Sequence, residues 1–343
     1  MKFKPIAVVI AILSLVSCSS DDRYVSYSGY AQGGTWKVTV NRKGVSVKDE
    51  VIKATIDSLL IEIDNTFSGY NKSSLVSRLN SGETIEPNDM FRDLYSRSYG
   101  WFLQSDGAVD VAAGPLFDIW GFGFKEGKFP SDSLVEATMA TCGFKMLKPS
   151  VPEGSISAAD LLLEPGESQP VLNFNAVAQG YTSDVVANYL HSLGIHDMLV
   201  DIGEIFCEGL NPRRVQWNIG VDRPVDGNDT PGADMQAIHV CTTSPQGVVT
   251  SGNYRKFYVV DGRKYAHTVD TRTGRPVSHN LLSATVIAPD SATADAAATW
   301  CMVIGLEAAK EIVAREGYEA YLIYEEDGEM REWHSDGFEL RQF

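Results

Sequence analysis

Two periods of apolar spacing run through the chain. In "VIKATIDSLLIEIDNTF" (51–67), Ile52, Ile56, Leu59, Leu60, Ile63 and Phe67 recur three or four residues apart. That spacing predicts a helix with one face on a core. "DLYSRSYGWFLQSDG" (93–107), "SDSLVEATMATCG" (131–143) and "NAVAQGYTSDVVANYLHSLG" (175–194) also read as helices, each stopped at a glycine. Ser133 and Glu136 stand at capping-box spacing in the second of these. Alternation in "TWKVTV" (35–40) predicts a strand, and "MLVDIGEI", "VQWNIGV", "AIHVCTT", "GVVTSG" and "RKFYVV" predict several more with turns between. Residues 149–170 are rich in Pro, Gly, Ser and Glu and read as loop with at most one short strand. The last part reads as a strand (281–288), a helix (292–304), Gly305, a helix (306–316) and a closing strand near "YEAYLIY". Pro289 ends the first of these strands, and Asp290 or Ser291 can cap the helix after it. Strand follows strand and helices are segregated, so the fold class is α+β rather than a doubly wound sheet.

The N-terminus departs from both periods. Lys2 and Lys4 precede "PIAVVIAILSLVS" (5–17), an apolar run of thirteen residues that is short for a bilayer span. It ends in "LVSC", which resembles a bacterial lipobox. Residues 1–17 are then a signal peptide, Cys18 is the lipidated residue, and 18–27 form a tether to a domain at 28–343. This places the expected protein on the periplasmic side of a membrane, held by a lipid anchor. An ordinary signal peptide or a short anchor is the plainer alternative.

Composition narrows the partners. The 343 residues show no tandem repeat and no linker rich enough to split the chain. A formal charge of −16 argues against nucleic acid as a partner. A phosphate-bearing ligand would need a cation or local amide donors. Cys142, Cys207, Cys241 and Cys301 form no C-x-x-C and read as buried thiols.

There is no Walker sequence, no H-E-x-x-H and no G-x-S-x-G. "GFGFKEG" (121–127) lacks dinucleotide-loop spacing. What remains is "DAAAT", where Asp295 and Thr299 share one face of a predicted helix. The pair is either a hard-oxygen set suited to Mg2+, or a solvated acid beside a threonine bonded to its own helix. His267 and Asp270, before "TRTGRP", form an H-x-x-D that taken by itself is better explained by a structural His–Asp pair.

At this point the chain resembles a known family. "SGNYRKFYVVDGRKYAHTVDTRTGRPV" followed by "SATVIAPDSATADAAATWCMVIG" is similar to the FAD:protein FMN transferase (ApbE) family. So are "GGTWKV" (33–38), "FSGYNKSSLVSRLN" (67–80), "SDGAVDVAAGPLFDIWGFG" (105–123) and "NFNAVAQGYTSD" (173–184), and the likeness covers about residues 28 to 340. The resemblance implies a composite α+β fold with mixed or antiparallel sheets, segregated helices and a flavin in a central cleft. It implies Mg2+ on Asp295, Thr299 and the main-chain oxygen of Ala176. It implies FAD contacts from Gly34, Thr35, Ser68, Gly69, Tyr70, Asp110, Gln179 and Thr268. His267 would help deprotonate a threonine hydroxyl of a partner protein, with Asp270 orienting it or acting nearby. The FMN moiety of FAD would move to that hydroxyl and AMP would leave. The partners implied are flavin-carrying subunits of membrane redox complexes. The chain departs from the family pattern at Gln179 (Lys in the family), Thr271 (Pro), Gly203–Glu204 (Gly-Gly) and Gly33 (Met). The same residues would also suit an FAD pyrophosphatase giving FMN and AMP, or a lipoprotein that only binds flavin.

Overall fold

The computed structural model describes residues 23–341 except 125–128, 167–169, 226–227, 229–231, 255–256 and 261–262, and of 257–260 and 263–264 only the backbone. The signal run, Cys18 and most of the expected tether lie outside the described residues. The first half of the chain holds β1 (Tyr24–Ala31), β2 (Gly34–Asn41), α1 (Asp49–Phe67), α2 (Leu75–Asn80), α3 (Asp89–Gln104), α4 (Gly114–Ile119) and α5 (Asp132–Met139). The middle holds α6 (Ala178–Ser192), β3 (Met198–Asp201), β4 (Ile205–Glu208), β5 (Asn218–Asp222), β6 (Met235–Val240), β7 (Gln246–Gly252), β8 (Phe257–Val260), β9 (Arg263–Ala266), β10 (Val269–Asp270) and β11 (Arg275–Pro276). The end holds β12 (Leu281–Ala288), α7 (Ser291–Ile304), α8 (Leu306–Glu316), β13 (Glu319–Glu326), β14 (Glu329–His334) and β15 (Leu340–Arg341).

Eight strands form one sheet in the order β1-β2-β3-β4-β7-β12-β13-β14. Every pairing in it is antiparallel. The side-chain period of two sorts β13 between two cores. Ala320 and Leu322 join the large cluster that contains α7 and α8, whereas Tyr321 and Ile323 pack with Phe338 and with Val221 and Ala237 of the sheet β15-β6-β5. The main sheet therefore carries helices on one face and the small sheet on the other. The α+β class holds.

Local boundaries depart from the sequence expectations in a few places. Strand β1 begins at Tyr24, inside the expected tether, because its antiparallel pairing with β2 buries Tyr27. Helix α5 is capped by Ser131, whose side chain accepts from Leu134 N, and not by Ser133. In α1, five of the six expected positions are buried, and Leu59 is half-buried. Two strands beyond "YEAYLIY", β14 and β15, close the chain. All four described cysteines are buried and free. No helix among the described residues is long and apolar enough to cross a membrane.

Helix α7 positions the site. It packs on β7 and β12 and against α6 and α8. It is buried nearly all round, with Ala292, Ala294, Ala296, Ala297 and Ala298 inside. Small side chains let it lie close to its neighbours. A Cβ at Gly247 of β7 would come 2.5 Å from Ser291 N, so β7 and the start of α7 touch through bare backbone.

Candidate active site

Helices α6 and α7 meet near their N-terminal ends, where each would otherwise leave amide groups unpaired. Asp184 of α6 takes the first amides of α7: Ser291 N donates to Oδ1 at 2.7 Å and Ala292 N to Oδ2 at 2.8 Å. In return, Gly180 N of α6 donates to Asp295 Oδ2 at 3.0 Å. Asp290 caps α7 as expected, accepting from Thr293 N at 2.9 Å, and pairs with Arg97 at 2.5 Å. The crossing is tight. A Cβ at Gly180 would fall 2.7 Å from Ser291 C and 2.8 Å from Asp295 Cβ.

This exchange leaves oxygen atoms without helix partners. In a regular turn Gly180 N–H would bond the carbonyl of Ala176. It goes to Asp295 instead, and the Ala176 carbonyl accepts no hydrogen bond among the described residues. Thr299 lies one turn beyond Asp295. Thr182 and Thr138 bond back to the carbonyl four residues earlier, at 2.6 and 2.8 Å, as threonines in helices commonly do. The Thr299 hydroxyl makes no hydrogen bond among the described residues.

The electrostatics favour a cation at this point. Asp295 is 5% exposed, and burial pushes its carboxyl up to about 8; Gly180 N–H opposes this and the Asp184 carboxylate adds to it. Asp184 is raised to about 7, first by burial and then by Asp290, against the two amide bonds it accepts. A buried acid, an unbonded hydroxyl and an unclaimed carbonyl form a hard-oxygen set that fits Mg2+. A bound cation would reverse the pressure on Asp295 to stay protonated.

These oxygens open onto a cleft of about 800 Å³, a volume typical of sites for cofactors and small ligands. Ala176, Gln179, Asp295 and Thr299 line it on the α6–α7 side. His267 and Thr268 line it from the turn after β9. That turn is fixed by Thr268 Oγ1 donating to Asn253 Oδ1 at 2.6 Å and by Val277 N donating to Thr268 O at 3.0 Å. The His267 ring lies 6.4 Å from Phe122, at 70° to it. Tyr70 also lines the cleft, 70% exposed, with its ring perpendicular to Phe124 at 5.3 Å. Gln179 lies against Gly203, where a Cβ would come 2.7 Å from its Nε2 and where φ is +93°.

Asp110 lines the cleft as well, but its carboxylate is a structural knot. It accepts from Ala112 N at 2.8 Å and Phe144 N at 3.0 Å, and burial pushes it up to about 6.

Four expected contacts and one expected catalytic residue are not among the cleft's lining. Gly34 and Thr35 are exposed at the start of β2, paired with Ala31 and Tyr30 across a hairpin. Ser68 ends α1, and its carbonyl accepts from Ser74 Oγ at 2.7 Å and Ser77 Oγ at 3.1 Å. Gly69 lies under the Phe124 ring, where any Cβ would overlap it. Asp270 is taken by Arg272, which donates Nε to Oδ1 at 2.9 Å and Nη2 to Oδ2 at 3.0 Å. Its carbonyl also accepts from Gly274 N at 2.7 Å, so Asp270 shapes the turn that follows His267. Thr271, where the family pattern has proline, donates its hydroxyl to Gly107 O.

Sequence reasoning missed three contributors. Asp184 stood in the quoted "GYTSD" with no role assigned, although an acid one turn beyond Gly180 is placed to cap a crossing helix. Glu204 lines the cleft in the place of a family glycine and adds a carboxylate to it. Thr250 lines it from β7 and hydrogen-bonds Thr285 at 2.8 Å.

Comparisons with known proteins identify the family. The FAD:protein FMN transferase of Escherichia coli K12 is 30% identical over 353 aligned residues, covering 98% of this chain and 97% of that protein. The apo crystal structure of the Pseudomonas stutzeri flavinyl transferase ApbE superposes with a TM-score of 0.79 at 30% identity, over 92% of this chain and 96% of that one. The flavin transferase ApbE from Vibrio cholerae gives 0.77 at 29%, over 92% and 98%. The family's sequence model matches residues 32–322, which include α6, α7 and the whole cleft. The chain belongs to the ApbE family.

Proposed function

We propose that this protein moves the FMN moiety of FAD onto a threonine hydroxyl of a partner protein, with Mg2+, and releases AMP. The observation that carries the reading is the convergence of Asp295, Thr299, Ala176, Gln179 and His267 on one cleft. Asp295 Oδ1, Thr299 Oγ1 and the Ala176 carbonyl would hold Mg2+. The ion would offset pyrophosphate charge that a −16 protein otherwise repels. The N-terminal end of α6 favours an anion near its first turn. Gln179 offers its amide to a phosphate oxygen, a neutral contact where the family pattern has a cation. Thr268, held by Asn253, and Tyr70 at the mouth would bear on the flavin. His267 takes the proton from the acceptor hydroxyl as the new P–O bond forms. Asp270 keeps His267 in place only indirectly, through the turn it shapes with Arg272.

The relatives' name supplies FAD as substrate and a protein as acceptor. The acceptor class we infer is flavin-carrying subunits of membrane redox complexes. The basic start, apolar run and "LVSC" support lipid attachment at Cys18 and work at a periplasmic membrane face. The test is to incubate the full chain with FAD, Mg2+ and a threonine-containing acceptor subunit and to read covalent flavin fluorescence on a denaturing gel. Labelled acceptor with AMP release is the expected result. AMP and FMN without label would make the protein an FAD pyrophosphatase, and bound but intact FAD would make it a flavin-binding module.

A further inference from the structure

The far end of α6 carries a second set of metal-ligating side chains. His191 lies in the last turn of α6, His196 just before β3, and Glu208 at the end of β4. His191 Nε2 is 2.5 Å from Glu208 Oε2, and His196 Nδ1 is 3.2 Å from Glu208 Oε1. The two imidazoles are 5.3 Å apart with their planes at 30°. One donor atom from each of the three residues lies within 4.8 Å of the others. We propose that His191, His196 and Glu208 bind one divalent cation of the Zn2+ class, at a site separate from the transfer cleft.

The donor set selects the ion. Two imidazole nitrogens and one carboxylate oxygen are the protein ligands of open zinc sites, with water in the fourth position. Imidazole suits Zn2+ and its neighbours, while Mg2+ prefers oxygen. Tetrahedral ligands at ordinary zinc distances stand about 3.4 Å from one another. The contacts of 2.5 and 3.2 Å are shorter than that spacing, and the donor atoms all lie within 4.8 Å of one another, so side-chain rotation can bring the three onto one ion.

The backbone already assembles the set. On a continued helix, residue 196 would project about 140° away from residue 191. Gly194 prevents this. With φ at +76°, it donates N–H to His191 O at 2.8 Å, and Ile195 N donates to Leu190 O at 3.1 Å. This left-handed helix end folds His196 back beside His191. Glu208 is paired with Met198 across β3 and β4, its carbonyl accepts from Trp217 Nε1 at 3.0 Å, and its side chain is 12% exposed. The Phe206 ring backs His191 edge-on at 5.9 Å. His196 is 68% exposed, which leaves an open side for water and for entry of the ion. The C-terminal end of α6 and the charge of −16 both favour a cation here. Gly180 and His191 are about 16 Å apart along the helix, so this ion and the one at Asp295 do not share ligands. Bound metal would clip the end of α6 to β4.

The test uses the full chain, stripped by a chelator and held in excess Mg2+ to occupy the oxygen site. Zn2+ is then titrated in competition with a chromophoric chelator. The expected result is one Zn2+ per chain, weakened at least about tenfold by Glu208→Gln or His196→Ala, since even an outer-shell change commonly costs that much. Asp295→Ala should keep the Zn2+ site. Zn2+ should raise the unfolding temperature of the wild type more than that of His196→Ala at the same Zn2+ concentration. Because His196 is exposed, its alanine variant without metal should unfold at the wild-type temperature, which separates a lost ligand from a lost fold. Absence of stoichiometric binding would overturn the proposal. So would equal binding by His196→Ala, or loss of the site in Asp295→Ala, which would put the ion in the cleft.

Discussion

Gly180→Ala should slow flavin transfer by about a hundredfold while leaving the protein folded. The added Cβ would lie 2.7 Å from Ser291 C and 2.8 Å from Asp295 Cβ, where ordinary contact begins near 3.4 Å. The Ser291 carbonyl oxygen is nearer still, so helices α6 and α7 must part by about 1 Å. The nearest atoms are backbone and Cβ, so no side-chain truncation at Ser291 relieves the clash. Overpacking of this kind costs about 1–3 kcal/mol. Replacing a helical glycine by alanine returns about 1 kcal/mol. The net loss is about 0–2 kcal/mol, small against the roughly 5–15 kcal/mol of a typical domain. The displaced group is the amide that holds Asp295 Oδ2 at 3.0 Å, and misplacing a catalytic group by about 1 Å commonly costs about a hundredfold in rate. Transfer rate at saturating FAD and Mg2+, read by covalent flavin fluorescence, is compared with the denaturant midpoint. A wild-type rate, or a rate loss no larger than the unfolded fraction, would refute the reasoning.

The remaining predictions concern single side chains. Thr299→Ser should retain much of the activity, while Thr299→Val should lose it at low Mg2+ and regain part as Mg2+ rises by mass action; equal rates for Thr299→Val and wild type across the titration would remove Thr299 from the site. His267→Ala should be slow at every Mg2+ concentration with FAD affinity unchanged, and rescue by Mg2+ would contradict its role as proton acceptor. His279 donates Nε2–H to Met302 O at 2.9 Å and accepts Leu281 N on Nδ1 at 3.3 Å, and burial lowers its pKa from 6.5. A lowered imidazole means the unfolded chain takes up the proton first, so this contribution is whole above pH 6.5 and is lost as pH falls through the folded pKa. His279→Gln should flatten that part of the acid slope in denaturant titrations, and an unchanged slope would count against it.

What was legible in the sequence follows from how local each signal was. β12 matches its expected bounds and α7 starts one residue early, because Pro289 and the Asp290 cap mark the boundary in adjacent residues. Asp295 and Thr299 were paired by helix periodicity alone, and the fold brings them to the cleft with Ala176, Gln179 and His267. Features that depend on distant partners were hidden. β1 became a strand only through β2, and a motif match could not tell that Asp270 would be held by its near neighbour Arg272. Gly69 and Gly34 sat in the right motifs, but one serves Phe124 and the other a hairpin end. Asp184 and the His191–His196–Glu208 set required knowing which helix ends and strands meet.

The central claim is that one Mg2+-holding cleft cleaves FAD and delivers FMN to a protein hydroxyl. Its most direct measurement is the molar ratio of AMP released to acceptor flavinylated, followed by mass spectrometry across a Mg2+ titration for wild type and Asp295→Asn. The account predicts a ratio near one for the wild type, with the flavin on threonine and no product without Mg2+, and loss of both products together in the variant. AMP in large excess over labelled acceptor, or an unchanged yield from Asp295→Asn, would contradict it.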